Sequence, residues 1–381
     1  MIARVNKLAL TGAVLLLIAM AFPFGNGGED TVAVSVTGTG VALFALPVLM
    51  LAGFFYAWQG AKSSLDGFLL TGLTVIGAII VAALAHRPGI AGVAGTGYWL
   101  AVLGLWALVW VGIDRVAAFR SLKRGEQQGV DLLVPVAFGL WLIFLWEVVV
   151  VGFGVNAVLL PAPSVIAVKF WLSTDILWAD FQQTFMKAVI AGYVMGCGSG
   201  FVIAIMVDRV PFLQRGLLPL GNMVSALPIV GMAPILVGWY GFDWQSKAAV
   251  VVIMTFFPML VNTVTGLSEA GKLERELLQS YGASYWQILL KLRLPAAAPF
   301  IFNALKINST LALIGAIVGE FFGTPIVGMG FRISTEVGRM NVDMVWAEIV
   351  VAALAGSAFY GVMALIERGV TFWHPSFRQK R

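Results

Sequence analysis

Apolar runs of about twenty residues recur from one end of the chain to the other, each the length an α-helix needs to cross a bilayer. Ten are read, with boundaries near Leu8 to Phe24, Val41 to Trp58, Gly67 to Ala85, Gly97 to Ile113, Leu132 to Val151, Thr184 to Val207, Leu217 to Tyr240, Ser246 to Leu267, Ala296 to Phe322 and Trp346 to Ile366. Within lipid every backbone N–H and C=O must be satisfied by the chain itself, so only helices and closed barrels can cross. The short alternating strands of a barrel are absent, which leaves an all-α integral membrane protein of about ten transmembrane helices. Composition agrees, because 60% of the 381 residues are hydrophobic and 11% charged, whereas a soluble domain is about a quarter charged.

The charged residues report topology. With the amino terminus inside, the inner segments hold Arg4, Lys7, Lys62, Arg115, Arg120, Lys123, Arg124, Arg209, Arg215, Lys272, Arg275, Lys291, Arg293, Arg368, Arg378, Lys380 and Arg381. The outer segments hold Arg87, Lys169, Lys187, Lys247, Arg332 and Arg339, so the bias is 17 against 6 with Lys306 left inside a span. An excess of this kind marks the cytoplasmic side and predicts both termini there, in a multi-pass membrane protein. The first span also reads as a signal peptide with Ala19-Met20-Ala21 as its cleavage site, and an uncleaved helix is the preferred reading.

Several function classes drop out. The net charge of +5 arises from residues between apolar runs and forms no extended patch, so no nucleic-acid partner is expected. Cys197 is the single cysteine, and His86 and His374 stand far apart without ligand spacing, which gives no metal site. No nucleophile stands with a base, and no cofactor motif is present. Without a G-x-x-x-x-G-K-[ST] loop, any ATP must be hydrolysed by a partner, so the chain is read as no enzyme.

The polar stretch DRVAAFRSLKRGEQQGVD, residues 114–131, divides the chain into a four-helix amino-terminal extension (1–113), a basic cytoplasmic linker (114–131) and a six-helix part (132–381). No internal repeat relates the two helical parts, so an inverted-repeat secondary transporter gains no support.

The segment from Glu269 to Pro295, EAGKLERELLQSYGASYWQILLKLRLP, is long, charged and amphipathic where the other inner connections are mostly short. Leu273, Leu277, Leu278, Tyr281 and Tyr285 recur at helical spacing, which predicts a short helix, a turn at Gly282 and a second helix from about Ser284. Pro295 marks the first turn of the next helix. An ordinary amphipathic interfacial helix is the competing reading.

Glu276, Gly282 six residues later, and Leu294-Pro295 twelve and thirteen residues beyond that resemble the loop shared by permease subunits of binding-protein-dependent ABC importers. That loop usually reads Glu-Ala-Ala, where this chain has Leu277 and Leu278 after the glutamate, and Leu292 replaces the usual isoleucine. Other segments agree in order: Leu159 to Ser164, Ser225-Ala226-Leu227-Pro228 with Ala233-Pro234 and Trp239-Tyr240-Gly241, Phe256-Phe257-Pro258 with Val261-Asn262-Thr263, and Gly328-Met329-Gly330. Together they resemble the nitrate, sulfonate and taurine branch, which includes permeases for pyrimidine precursors of thiamine. The resemblance covers roughly Asp131 to the end and implies a six-helix, type I importer-like core preceded by four extra helices. It also implies a second permease copy, an ABC ATPase dimer and an extracytoplasmic solute-binding protein as partners, in contact with membrane lipid. The coupling helix would lie in 269–295, with Glu276, Gly282, Leu294 and Pro295 as its signature. The implied substrate is a small anion such as a sulfonate, taurine or nitrate, with a pyrimidine precursor as the alternative.

Candidates for the translocation path follow from polar and helix-breaking residues at membrane depth. Pro228 and Pro234, with Pro219, remove backbone donors from one span, and such backbone is tolerated where it is buried in protein or lines a cavity. Asn222, Ser225 and Asn262 lie near it. In the following span Asn303, Lys306, Thr310 and Glu320 share a face. Lys306 reads either as a pathway residue or as a lysine that snorkels or pairs with an inner carboxylate. Glu147 and Glu320 read as interfacial acids near span ends. Gly192, Gly196 and Gly200 permit close helix packing, and tryptophans near span ends read as interfacial anchors. An ion-coupled secondary transporter and a membrane enzyme or sensor are the other classes weighed, the first needing acids deep in the spans and the second an acid-base or metal constellation.

Overall fold

The computed structural model describes residues 6–26, 33–34, 42–59, 64–118, 124–225, 228–323 and 326–373. Arg4, Lys62, Arg120, Lys123, Ala226, Leu227, His374 and the basic residues from Arg378 onward lie outside them. Seven helices among the described residues are long and apolar enough to cross a membrane, and four further apolar helices are shorter. The chain forms two compact units, Met1–Ile166 and Ala167–Arg381.

The first unit contains α1 (Lys7–Ala19), α2 (Ala42–Gln59), α3 (Ser64–Ala85), α4 (Thr96–Ala118) and α5 (Arg124–Gly152), with a two-residue antiparallel pairing of Gly25–Asn26 and Ala33–Val34. Helix α1 starts where the Asn6 side chain accepts from the N–H groups of Leu8 and Ala9, satisfying two donors that have no partner within the first turn. Small residues let α1 approach α4 closely: a Cβ on Gly12 would stand 3.0 Å from the Gly104 carbonyl. The interior is aliphatic and aromatic, with Leu16, Phe24, Leu46, Leu70, Tyr98, Leu105 and Leu108 buried. Large apolar side chains such as Leu51, Leu69, Ile79 and Leu140 remain exposed, as suits a surface solvated by lipid.

The second unit continues from α6 (Pro163–Leu172), which crosses the boundary, to α7 (Thr174–Phe181) and the π-helical segment Gln182–Val189 leading into α8 (Ile190–Arg209). There follow α9 (Pro211–Ser225), α10 (Ile229–Tyr240), α11 (Trp244–Ser268), α12 (Lys272–Ser280), α13 (Tyr285–Ile288) and α14 (Leu294–Glu320). Helices α15 (Met329–Gly338) and α16 (Val342–Val370) complete it. Helix α11 is central and packs along both α8 and α14. The glycine stripe explains the first contact, because a Cβ on Gly192 would lie 2.5 Å from the Val251 Cβ and one on Gly200 2.6 Å from the Phe256 carbonyl. Where the sequence reads one kinked span from Leu217 to Tyr240, α9 and α10 are separate helices of 15 and 12 residues. Pro228 stands at the N-cap of α10, where its missing N–H costs no helical hydrogen bond.

Candidate functional site

The charged segment 269–295 folds as two short helices around a glycine turn. No residue of α12 is buried, and Leu273, Leu277 and Tyr281 are 78%, 56% and 81% exposed. Glu276 lies on this helix, 3.8 Å from Lys272 one turn earlier. The helix ends as the Gly282 N–H donates to the Gln279 carbonyl and the Ala283 N–H to that of Leu278. Gly282 has φ 72°, a left-handed conformation that glycine adopts without a Cβ penalty, and no atom lies within 4 Å of where a side chain would begin. Ser284 then opens α13 with a capping box: its N–H donates to Gln287 Oε1, and its hydroxyl accepts from the Gln287 N–H. A second π-helical segment, Leu289–Arg293, leads into α14, where Leu294 and Pro295 occupy the first turn.

The return arm is fixed by charge. Arg293, 4% exposed, places both terminal nitrogens 2.6 Å from the two oxygens of Asp208 at the end of α8. Its Nε donates to the Leu267 carbonyl at 3.0 Å, and the Tyr285 hydroxyl donates to Asp208 at the same distance. Arg209 stacks over the Tyr285 ring at 5.4 Å. One guanidinium thereby ties the arm to α8 and α11, leaving α12 as its exposed outer limb.

The polar residues at membrane depth divide into occupied and open groups. Lys306 pairs with Glu367 of α16 at 2.7 Å. Asn303 and Thr310 are exposed on the same helix, with the Thr310 hydroxyl donating back to the Ile307 carbonyl. Asn308 is buried and donates to the Thr255 carbonyl and Cys197 Sγ. Asn262 donates to the Pro258 carbonyl, four residues back in α11. Pro228 and Pro234 are exposed on α10, while the side chains of Asn222 and Ser225, on α9, lie outside those described.

Residues 188–372 match the family profile of binding-protein-dependent transport system inner membrane components. A riboflavin transport system permease protein of Chloroflexus aurantiacus is 30% identical over 259 residues, 68% of this chain and 95% of the relative. The chain belongs to this family. A formylaminopyrimidine transport permease protein of Halalkalibacterium halodurans is also 30% identical, over 66% of this chain and 98% of its own length. A putative aliphatic sulfonates transport permease protein of Bacillus subtilis is 27% identical over 65% and 88% respectively. The chain is thus an ABC transporter permease subunit for a small solute, multi-pass in the inner membrane, and its relatives are transport permeases, not enzymes.

The permease also contains a buried polar clamp that sequence reasoning missed. The three consecutive N–H groups at the start of α15 are all taken: Gly328 donates to Asp180 at 2.6 Å, Met329 to the Thr184 hydroxyl at 2.8 Å and Gly330 to Glu320 at 2.7 Å. The Thr184 hydroxyl donates onward to Glu320, and Arg332 donates to Asp180. Carboxylates belong at the positive end of a helix dipole, and these two supply that charge from α7 and α14. Burial works against the Arg332 charge, but the hydrogen bond and charge of Asp180 outweigh it and hold the guanidinium above its ordinary range. Gly328 has φ 143°, and a Cβ there would strike the Glu320 carboxylate. Glu320 is therefore not an interfacial acid but 2% exposed, and Glu147 in the first unit is likewise buried. Lys247, fully buried, donates to the carbonyls of Phe242 and Gly323. The one available signal was the crowding of Asp180, Thr184, Glu320 and Arg332 near predicted span ends, which reads on its own as interfacial polarity.

Proposed function

We propose that this permease is the membrane-spanning subunit of an ATP-driven importer and works as a pair of identical copies with an ABC ATPase dimer and an extracytoplasmic solute-binding protein. The observation that carries the proposal is α12, a helix that buries nothing in its own chain while holding Leu273, Leu277 and Tyr281 in solvent. An ordered apolar face of this kind is what a groove in a partner fills. The helix with Glu276 and Gly282 is read as the limb that enters the ATPase, and Leu294 and Pro295 as the start of the helix that receives its motion. Closure of the ATPase dimer would then be passed through Arg293 to α8, α11 and α14 as a rigid-body movement. Asn222, Ser225, Pro228, Pro234, Asn262, Asn303, Lys306 and Thr310 are proposed to border the path, with both chain termini cytoplasmic and 1–113 as an appended four-helix module.

For the substrate, a planar heterocycle of the riboflavin or pyrimidine kind is favoured over a small anion. The span lysines Lys247 and Lys306, which an anion would need, are already held by carbonyl groups and by Glu367. A sulfonate, taurine or nitrate remains the second reading, supported by the sulfonate relative. Glu320 and Glu367 are similarly occupied, by the start of α15 and by Lys306.

The test is uptake of labelled formylaminopyrimidine, riboflavin and taurine by cells expressing the permease with its ATPase and binding protein. Uptake of one solute should stop on ATP depletion and survive an uncoupler. Gly282→Asp should abolish it while leaving the amount of permease in the membrane unchanged, because the added side chain meets no atom and the strain of a left-handed φ of 72° falls on an exposed turn alone. Uptake that persists without ATP and collapses with the proton gradient would overturn the reading.

A further inference from the structure

Glu348 of α16 is fully buried, and neither of its carboxyl oxygens accepts a hydrogen bond among the described residues. A carboxylate in that state has given up its water and received nothing in exchange, which costs far more than an unpaired neutral group. Its surroundings add to the cost. Leu177 of α7 packs against Met344 and Ala347 of α16. Asp180 follows Leu177 by three residues and Glu348 follows Met344 by four, so both acids lie on the seam between these helices, with their carboxyl groups within hydrogen-bond reach. Asp180 is also fully buried and is bonded as an ionised acid, accepting from the Gly328 N–H at 2.6 Å and from Arg332 Nε at 2.8 Å.

The charges around this pair do not balance. Besides Asp180 and Glu348, α14 contributes Glu320 and the start of α11 Asp243, and they are faced by Arg332 of α15, Lys247 of α11 and Lys187 of the π-helical segment. Glu336 and Asp343 are matched separately, by Arg339 and Lys169. Four acids thus meet three cations. Asp180, Glu320 and Asp243 each accept from at least one donor, and Glu348 is the acid of the four that no donor among the described residues reaches.

We propose that Glu348 and Asp180 share one proton, which makes the seam between α7 and α16 a buried binding site for a single hydrogen ion. Glu348 carries the proton as a neutral acid and donates its O–H to the Asp180 carboxylate, and release of the proton would leave two carboxylates in contact. Protonation supplies at once the donor that Glu348 lacks and the charge that the cluster is short of. Two like charges this close in a dry site cannot both persist. A water molecule would bring donors but leave the excess charge in place. A metal ion needs several converging ligands, and no group of three or more His, Cys, Asp or Glu among the described residues is arranged to hold one. The proton completes the clamp on α15, because Asp180 keeps Arg332 and the Gly328 N–H only while Glu348 neither repels it nor competes for the guanidinium.

The experiment is infrared difference spectroscopy of the purified full-length permease at neutral pH, where the carbonyl stretch of a protonated carboxylic acid stands apart from the bands of carboxylates. Subtracting the Glu348→Gln spectrum from that of the unaltered chain should leave one protonated-acid band, which shifts in heavy water. Asp180→Asn should lose the same band, because three acids then meet three cations and Glu348 is free to ionise beside Arg332. Hydrogen exchange at the Gly328 N–H should be unchanged in Glu348→Gln, whose neutral amide still donates to Asp180, so loss of the band there does not reflect a disrupted fold. No band lost on Glu348→Gln would overturn the proposal by placing no proton on that residue. A band lost in Glu348→Gln but kept in Asp180→Asn would overturn the sharing, and faster Gly328 exchange in Glu348→Gln would show that a neutral donor does not serve the clamp.

Discussion

Arg293 and Asp208, separated by 85 residues in the chain, meet as a two-point fork with both contacts at 2.6 Å. The pair is nearly sheltered from solvent, with side-chain exposures of 5% and 11%. Removing one partner from such a pair leaves an uncompensated charge and costs about 3–5 kcal/mol, whereas replacing both with apolar groups is often close to neutral. Arg293→Met should therefore free the return arm of the 269–295 segment. The measurement is the rate of tryptic cleavage at exposed Lys272 and Arg275 in the purified permease. The rate should rise in Arg293→Met and in Asp208→Leu and return toward the original value in the double variant. A double variant cleaved as fast as either single one would show that the fork does not hold the arm.

The helices, the charged loop and the glycine stripe were legible because each leaves a one-dimensional trace: an apolar run, a helical period with a glycine, a four-residue spacing. The Asp208–Arg293 fork and the clamp on 328–330 were not, since their members come from distant parts of the chain and each alone resembles an interfacial residue. Lys306 shows the boundary between the two. Its chain position marked it as an intramembrane lysine that either lines a path or pairs with an acid, and only the fold supplies Glu367 as its partner. The division of Leu217 to Tyr240 into two helices was half legible, because Pro228 announces a break without saying whether the helix bends or stops.

The clamp on α15 makes a local prediction. Glu320→Gln keeps an acceptor for the Gly330 N–H but loses the charge, whereas Glu320→Ala leaves that N–H and the Thr184 hydroxyl without the acceptor they share. Each buried donor left unpaired costs about 1–3 kcal/mol. Backbone hydrogen exchange at 328–330 should accelerate strongly in Glu320→Ala, modestly in Glu320→Gln, and not at all in a variant of exposed Asn303. Uniform acceleration across α14 and α15 would mean that the whole helix pair, and not the turn, depends on Glu320.

Asp243 gives the pH dependence outside the spans. The Trp244 N–H, followed by the Gln183 amide, holds its carboxyl below the usual range. A carboxyl lowered on folding stabilises the folded form above its unfolded pKa, and that contribution is lost as pH falls through the lowered folded value. The start of α11 should hence be stable at neutral pH and loosen only in acid below the ordinary aspartate range of about 4. Exchange of the Trp244 N–H followed from pH 7 downward should show this, and Asp243→Asn should remove the dependence. An Asp243→Asn protein with the same acid profile would assign it to another group.

Within the first unit, Glu147 gathers three donors: the His86 ring at 2.7 Å, the Ser164 hydroxyl at 2.7 Å and the Ser164 N–H at 2.9 Å. It joins the residue after α3, the last turns of α5 and the start of α6, and so links the proposed four-helix module to the first helix of the proposed core. The two sides of this link are unequal. The Ser164 donors are tied to the backbone, while the His86 side chain is 46% exposed, and pairs at such exposure contribute about 0–1 kcal/mol. Glu147→Ala, which removes the acceptor of the Ser164 N–H as well, should cost about 1–2 kcal/mol, since Ser164 is exposed and its donors can turn to water. Thermal unfolding of the purified chain should rank Glu147→Ala as most destabilised, Glu147→Gln as intermediate and His86→Ala as least. If His86→Ala proved as harmful as Glu147→Ala, the imidazole and not Ser164 would be the contact that fastens α5.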